Sequence, residues 1–334
     1  MTKLKMLMLA IAGMAVAGAS TANAEKVTVA VLRGVPASPI FIADAKGYFK
    51  ESGIELNLIY VDAATAAPVA VVSGDADFAV IGMTAGFFNL AGKGALKIVG
   101  TSVREQKGYK LTGYIASNAA YEAGVRKPED FKGRAIAITT VGSTYHYNLG
   151  QLAQKSNFDL ASIRMVPMQS QSNQASAVAG GNTDGAVITA YILSKMEAEK
   201  KGRIIGWVSD ISPYQTSVAI TSTKNAATRR PMIEAFLKAY HAGIKDYHAA
   251  FLNLDSAGAP QKGPGYDELL KIVSRYTQQP AEQLEGFFPY IDPEGRVEVQ
   301  SIRDQVAWWA SQNQIDKGIN PDSFIDMSYV RATP

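Results

Sequence analysis

The chain has 334 residues, of which 47% are hydrophobic and 19% charged, so it can bury a sizeable core and is not of the disordered class. This length favours two globular domains over one small module. Thirty-three basic and 30 acidic residues give a net charge of +3, too close to neutrality for a nucleic-acid-binding protein. The absence of cysteine excludes disulfides, thiolate metal sites and a cysteine nucleophile, and three histidines argue against a histidine-rich metal site.

The first 24 residues have the three parts of a secretory signal peptide. Two early lysines precede an apolar stretch over residues 6–17, and small residues at 22–24 form an A-x-A cleavage site. The apolar stretch of roughly 12 residues is shorter than the ~20 that a membrane-spanning helix needs, and no cysteine follows it for lipid attachment. We therefore predict a signal peptide over 1–24, a mature chain that starts at Glu25 with a net charge of +1, and a periplasmic location.

Strands and helices alternate along the rest of the chain. β-Branched apolar runs predict strands over 27–32, 54–61, 78–81, 96–102, 111–117, 134–139, 164–166, 185–188 and 218–221. Helical spacing of apolar residues predicts helices over 40–45, 63–72, 84–91, 143–156, 171–179 and 228–252, with a helical tail from Tyr266. This alternation is typical of βαβ units and indicates an α/β fold with mostly parallel sheets.

Two segments about a hundred residues apart have the same succession of sequence features. Residues 72–80 and 179–187 each end a helix, turn at glycine, carry an aspartate and begin a buried strand. Two similar α/β lobes are therefore expected, with a cleft between them where small ligands bind.

Three segments carry a family resemblance. They are PIFIADAKGYF with SGI at 39–54, GDADF at 74–78 and PEDFKGRAIA at 128–137. In this order, and after an export signal, they resemble the nitrate/sulfonate/taurine-type solute-binding proteins of ABC importers, a group that includes binders of thiamine-pyrimidine precursors. The resemblance covers about residues 26–250, with Phe131 in place of the family's leucine, and nothing is carried over beyond Phe251.

The resemblance implies a type II periplasmic binding protein fold. In this α/β fold two lobes, each a mostly parallel sheet flanked by helices, enclose a ligand cleft and close by a hinge. Residues 26–105 and 217–334 would form the first lobe and 106–216 the second. Polar or proline-containing segments at 104–110 and 213–216 lie at the two points where the chain would cross from one lobe to the other. The implied function is the substrate-binding component of an ABC importer, with the permease and its ATPase as partners. The expected protein is a monomer with no catalytic residue, cofactor, metal or nucleic-acid partner.

Candidate ligand-binding residues lie where strands run into helices, because helix N-termini present free N–H groups and a positive dipole end to an anion. The predicted set comprises Arg33, Pro36, Ser38, Phe41, Met83, Thr84, Gly142, Ser143, Thr144, Tyr145, His146, Gln169, Thr189 and Tyr191. Arg33 suits bidentate capture of a carboxylate or sulfonate. The two tyrosines suit stacking on a planar ligand.

Each of these residues also has a purely structural interpretation. Ser38, followed by a proline at the first helical position, and Thr84 would cap their helices and do nothing else. Arg33 would be a surface charge, the tyrosines would fill the surface between the lobes, and His146 would be a partly exposed histidine of the first helical turn.

The leading expectation for the ligand is a small organic anion with an aromatic body, that is, an aromatic carboxylate or a sulfonate. Aliphatic sulfonates, nitrate and a pyrimidine precursor stay open. The alternative function is an exported, hydrolase-like enzyme on the same fold, because Gly82–Gly86 reads G-x-T-x-G and formally mimics a nucleophile elbow with Thr84. His241 and His248 are seven residues apart, which is not the i,i+4 spacing of a helical metal pair.

Overall fold

Two five-stranded sheets flanked by helices make up the computed structural model, which describes residues 24–333. The predicted signal peptide lies outside the described residues except for its last position. Among the described residues, no helix has both the length and the apolar character that crossing a membrane requires.

The strands are β1 (Glu25–Leu32), β2 (Ile54–Val61), β3 (Phe78–Gly82), β4 (Leu96–Thr101), β5 (Arg104–Glu105), β6 (Thr112–Ala116), β7 (Ala135–Ile138), β8 (Arg164–Pro167), β9 (Gly185–Thr189), β10 (Arg203–Trp207), β11 (Tyr214–Gln215), β12 (Ser217–Ser222), β13 (Asn253–Leu254), β14 (Pro260–Gln261), β15 (Arg296–Val297) and β16 (Arg331–Ala332). The helices are α1 (Ser38–Ala45), α2 (Tyr48–Glu51), α3 (Ala67–Ser73), α4 (Ala85–Gly92), α5 (Asn118–Glu122), α6 (Thr144–Lys155), α7 (Gln171–Ala179), α8 (Ala190–Ala198), α9 (Val208–Ile211), α10 (Thr223–Thr228), α11 (Arg230–Phe251), α12 (Tyr266–Thr277), α13 (Ala281–Leu284) and α14 (Val299–Ser311). Short 3-10 turns lie at Val35–Ala37, Ala64–Ala66, Pro128–Phe131, Leu160–Ser162 and Pro321–Ser323.

The first sheet has the strand order β2-β1-β3-β12-β4, and the second has the order β10-β6-β9-β7-β8. In each sheet four strands point the same way and one is antiparallel to its neighbours, β12 in the first and β6 in the second. These two are the first sheet strands that follow a crossing of the chain between the sheets. We call the elements around the two sheets the first and second lobe; the predicted residue boundaries of the lobes stay a prediction.

The central strands are almost entirely apolar because helices cover both faces of each sheet. Every residue of β3 and of β9 is buried. On one face of the first sheet, Phe236 of α11 stacks on Phe78 with ring centres 4.1 Å apart. The predicted helix over 228–252 corresponds to α11, which begins just before a proline in its first turn, and a separate short helix, α10, ends at Thr228.

The predicted repetition between the halves has a structural counterpart in Asp77 and Asp184. The Asp77 carboxylate accepts a hydrogen bond of 2.9 Å from the backbone N–H of Thr28 in β1. The Asp184 carboxylate accepts one of 2.8 Å from the N–H of Ala135 in β7. Each aspartate precedes a buried strand and fastens it to the strand beside it, so the two lobes use the same device.

The chain crosses between the sheets at β5 and β11, which pair with each other in antiparallel fashion. The C-terminal region holds this pair from outside. Gln305 of α14 donates to the carbonyl of Gln215 at 2.9 Å, and Arg104 forms a 2.6 Å ion pair with Glu298. Farther along α14, Trp308 packs edge-on against Tyr147 of the second lobe, with ring centres 5.0 Å apart. The helix α14 therefore contacts the crossing strands and the second lobe.

Candidate functional site

A cleft of about 570 Å³ lies between the lobes, within the size range of small-molecule sites. The first lobe contributes the ends of β1 and β2 and the residues that follow α12, and the second contributes the start of α7 and one face of α8. Its lining includes Leu32, Arg33, Tyr60, Val61, Asp62, Ser170, Gln171, Tyr191, Ile192, Lys195, Thr277, Gln278 and Gln279. Of the predicted site residues, Arg33 and Tyr191 line this cleft, one from each lobe.

Arg33 is an exposed residue directly after β1, held at the cleft wall by two contacts. Its guanidinium carbon lies 3.5 Å from the centre of the Tyr60 ring, and Nη1 donates to the carbonyl of Tyr276 at 3.2 Å. Neither contact carries a negative charge, and no described carboxylate lies within 4.0 Å of the guanidinium. The positive charge of Arg33 is therefore uncompensated at short range.

The second-lobe wall is held by a chain of hydrogen bonds behind the start of α7. Ser170 caps this helix by accepting from the N–H of Asn173 at 3.2 Å. The Gln171 carbonyl Oε1 accepts from the Thr189 hydroxyl at 2.6 Å, and the same hydroxyl lies 3.1 Å from that of Tyr145. These bonds fix the Gln171 side chain at the edge of the cleft.

Tyr191 of the second lobe lies close to the first lobe at the cleft. It is 8% exposed, and a β-carbon on Gly34 of the first lobe would lie 3.2 Å from its hydroxyl. Burial raises the pKa of Tyr191 to about 12. The phenol is therefore neutral at physiological pH and can donate a hydrogen bond.

The junctions before α4 and α6 meet each other across the lobes. The N–H of Ala85 donates to the carbonyl of Gly142 at 2.9 Å, and a β-carbon on Gly82 would lie 2.8 Å from the methyl of Thr144. Thr84 accepts from the N–H of Phe87 at 3.1 Å, which confirms that it is the N-cap of α4. Here the helix starts contact protein atoms of the opposite lobe.

Next to this contact, Ser143 caps α6 and His146 is bound in its first turn. Ser143 accepts from the N–H of His146 at 3.4 Å. The N–H of Gly142, a residue in the left-handed region at φ +82°, donates to Nδ1 of His146 at 3.1 Å. The imidazole is 4% exposed and lies edge-on to Trp309 with ring centres 5.2 Å apart. Burial lowers its pKa to about 4, so His146 is neutral at pH 7.

The prediction that Ser38 caps α1 is wrong. A proline at position 36 starts a 3-10 turn, Val35–Ala37, so that Ala37 takes the N-cap position. Ser38 is already helical, fully buried, and donates its hydroxyl to the carbonyl of Val35 at 2.6 Å. Its side chain therefore holds the turn after Arg33 in place.

Other members of the predicted set are not part of the cleft lining. Phe41 is fully buried and stacks on Tyr276 with ring centres 4.9 Å apart, and Met83 is 1% exposed in the core. Pro36 is half-buried, and Gln169 is exposed in the left-handed region at φ +66°. Direct ligand contact by these residues stays a prediction.

Several cleft residues were absent from the predicted set: Tyr60, Asp62, Lys195, Gln278 and Gln279. Tyr60 and Asp62 come at the end of a strand that had been predicted correctly, so the strand-end rule could have identified them. Gln278 adopts the left-handed conformation at the end of α12, beyond the part of the chain that carries the resemblance. No sequence signal indicated it.

The sequence profile of the family described as NMT1/THI5 like matches residues 36–250, almost two thirds of the chain. The chain belongs to the NMT1/THI5-like family. The predicted resemblance and the two-lobed fold are confirmed. A comparison of this NMT1/THI5-like chain with curated proteins found no match.

Solved structures similar to this NMT1/THI5-like protein share its fold at low sequence identity. The alkanesulfonate-binding protein SsuA from Xanthomonas axonopodis pv. citri, bound to MOPS, is 15% identical with a TM-score of 0.71, covering 92% of this chain and 98% of its own. The periplasmic nitrate-binding protein NrtA from Synechocystis PCC 6803 is 12% identical with a TM-score of 0.67, covering 90% and 85%. A DszB variant in complex with biphenyl-2-sulfinic acid is 12% identical with a TM-score of 0.60, covering 92% and 97%.

Proposed function

We propose that this protein is the substrate-binding component of an ABC importer. It captures a small organic anion in the interlobe cleft by hinge closure and delivers the anion to a membrane permease driven by its ATPase. The observation that carries this proposal is the uncompensated charge of Arg33 at the wall of a 570 Å³ cleft. A ligand carboxylate or sulfonate would supply the missing charge, and a guanidinium suits either group because its N–H donors form a planar fork.

Further features of the cleft favour an anion. Arg33, Lys195 and Lys201 line it against the acidic Asp62 and Glu199, so a cation lies on each side and the lining has a net positive charge. The capped start of α7 also faces the cleft, with the positive end of its dipole toward the ligand. Three structural neighbours are described with anionic ligands, namely alkanesulfonates, nitrate and a sulfinate.

We infer that the ligand carries an aromatic ring beside its acidic group. Tyr60 and Tyr191 line opposite sides of the cleft and offer flat apolar surface. The cleft is far larger than nitrate requires. Aromatic carboxylates and aromatic sulfonates therefore fit the site best.

The remaining parts of the proposal concern how the protein works in the cell. We propose that the mature chain starts at Glu25 and acts in the periplasm as a monomer. Its first lobe would be 26–105 with 217–334 and its second lobe 106–216. The crossing strands β5 and β11 would be the hinge, since a bend there moves one sheet relative to the other.

A thermal-shift panel on protein starting at Glu25, refolded from denaturant to remove carried-over ligand, tests the proposal. The panel contains benzoate, benzenesulfonate, taurine, nitrate and a pyrimidine, each beside a neutral counterpart where one exists. A ligand at 100 times its dissociation constant stabilises the folded state by about 2.7 kcal/mol, which is readily visible in the melt.

Two variants complete the design. Arg33→Gln should lose the shift given by the anions. Arg164→Gln, which removes an exposed charge on β8 outside the cleft lining, should keep it. A panel in which no anion shifts the melt, or in which both variants respond like the parent, would contradict the anion site.

A further inference from the structure

A buried carboxyl group lies at the crossing between the lobes. Glu105 is the second residue of β5, which pairs with β11 where the chain passes between the sheets. Its side chain has no exposure to solvent. Its backbone N–H donates to the hydroxyl of Thr216 at 3.2 Å, which fastens the strand but leaves the carboxyl uninvolved.

Neither carboxyl oxygen of Glu105 has a hydrogen-bond partner in the part of the chain that the structure describes. The neighbouring Arg104 does not compensate it, because its guanidinium pairs with Glu298 and lies over the Tyr290 ring. A buried carboxylate without a partner is strongly destabilising, so the group is retained as the neutral acid.

The ionisable groups near Glu105 come from the second lobe and from the crossing itself. A negative charge on Glu105 would raise the pKa of Tyr114 in β6, of Tyr145 in α6 and of Tyr214 in β11, so ionised Glu105 disfavours ionisation of these phenols. Asp210 of α9 adds a negative charge. None of these groups stabilises a negative charge on Glu105.

Burial, with a smaller contribution from Asp210, raises the pKa of Glu105 to about 8. The hydroxyl and the backbone N–H of Thr112 lie near the carboxyl and oppose part of this shift, although neither reaches a carboxyl oxygen in ordinary hydrogen-bond geometry. The pKa agrees with the geometry, since both describe a carboxyl that is fully buried and forms no ion pair with a described residue.

We propose that Glu105 makes closure of the two lobes dependent on a proton. In the closed arrangement, in which Ala85 of the first lobe contacts Gly142 of the second, the carboxyl is sealed and neutral. Opening moves α6 and its Tyr145 with the second lobe, so that water reaches the carboxyl and it releases its proton. Proton uptake at Glu105 thus accompanies closure of the hinge and does not depend on which ligand is bound.

The direction of the pH effect follows from linkage. The closed form binds the proton more tightly than the hydrated open form, whose carboxyl has an ordinary pKa near 4.5. Between that pH and about 8, each pH unit shifts the equilibrium toward the open form by up to tenfold. Below this window both forms are protonated, and above it both are ionised, so the effect levels off at either end.

The absence of cysteine allows a measurement of closure without ligand. Val72 of the first lobe and Val141 of the second are 44% and 53% exposed, so Val72→Cys and Val141→Cys together give two labelling sites. Nitroxide distances by pulsed electron resonance, recorded between pH 5 and pH 9, report the open fraction. The open fraction of the labelled parent should rise with pH and level off above about 8.

Glu105→Gln keeps the shape of the side chain without its charge and should hold one open fraction across this range. The control Glu122→Gln, which removes an exposed carboxyl of the second lobe, should follow the labelled parent. A pH-independent open fraction in the parent, or a pH dependence that survives Glu105→Gln, would overturn the proposal.

A second measurement covers the case in which Glu105→Gln does not fold. Infrared spectroscopy of the unaltered protein detects the carbonyl band of a protonated carboxylic acid. The band should persist at pH 7 and disappear between pH 7 and pH 9 together with the closed distance. A band already lost below pH 6 would overturn the proposal. Since neither measurement uses a ligand, a negative result would leave the proposed transport function standing.

Discussion

The Arg33 guanidinium lies over the ring of Tyr60, with 3.5 Å between its carbon and the ring centre. The ring therefore holds the cation in place without neutralising it. A cation over an aromatic face at an exposed site contributes about 0.5–1 kcal/mol. Tyr60 therefore positions the Arg33 guanidinium, which we propose binds the acidic group of the ligand.

The first prediction concerns this ring. Tyr60→Leu removes the aromatic face and should weaken binding of benzenesulfonate by about two- to fivefold, the equivalent of that free energy. Tyr60→Phe keeps the face and should bind within about twofold of the parent. Isothermal titration calorimetry compares the three proteins. Equal losses in Tyr60→Phe and Tyr60→Leu would show that the hydroxyl, and not the ring, matters.

Thr84 separates the binding function from the enzymatic alternative. Its side chain is fully buried and its hydroxyl accepts from the N–H of Phe87, so it is occupied as a helix cap. Thr84→Ala should reduce the free energy of unfolding by about 1 kcal/mol, and Thr84→Ser should retain most of it. Urea denaturation measures both. Turnover of an ester substrate by the parent that Thr84→Ala abolishes would favour the enzyme instead.

His146 should make the protein less stable in mild acid. Its pKa is near 6.5 in the unfolded chain and about 4 in the folded protein, so the unfolded state binds more protons between these values. Stability contributed by the neutral imidazole is therefore lost as pH falls below 6.5, by up to about 1.4 kcal/mol per pH unit. His146→Gln should have a shallower loss of unfolding free energy between pH 7 and pH 5. Parallel curves for the two proteins would show that His146 titrates normally.

The contact between α14 and the second lobe is tested at Gly150. A β-carbon there would overlap the Trp308 ring, so Gly150→Ala should reduce stability by about 1–3 kcal/mol. Gly318→Ala is the matched control, because no atom lies within 4 Å of the position its β-carbon would take. Replacing Trp308 by leucine in the Gly150→Ala protein should restore part of the loss. No rescue would mean that Trp308 does not pack on α6 in solution.

The elements of both lobes were largely predictable because each strand has its own local signal. Buried runs such as Phe78–Gly82 are apolar at every position, and glycine or aspartate stands at their ends. The likeness of residues 72–80 to 179–187 was also visible, and the matching roles of Asp77 and Asp184 account for it. Local chemistry was sufficient for these features.

The site was predictable only in part, because it depends on how two lobes and a distant tail meet. Arg33 could be identified from its place after a strand, but not the ring beneath it or the glutamines after α12. The Ser38 cap was mispredicted because a 3-10 turn displaced the helix start by one residue. The burial of Glu105 also depends on tertiary packing at the crossing between the lobes, which spacing in the sequence does not indicate.

The most direct test of the central claim compares an anion with its neutral counterpart. Isothermal titration of ligand-stripped protein with benzenesulfonate and benzenesulfonamide, and with benzoate and benzamide, isolates the effect of the charge. We expect at least one anion to bind tenfold or more tightly than its neutral counterpart, and Arg33→Gln to remove most of this preference. Equal affinities for anion and neutral counterpart, or a preference that Arg33→Gln leaves intact, would contradict this expectation.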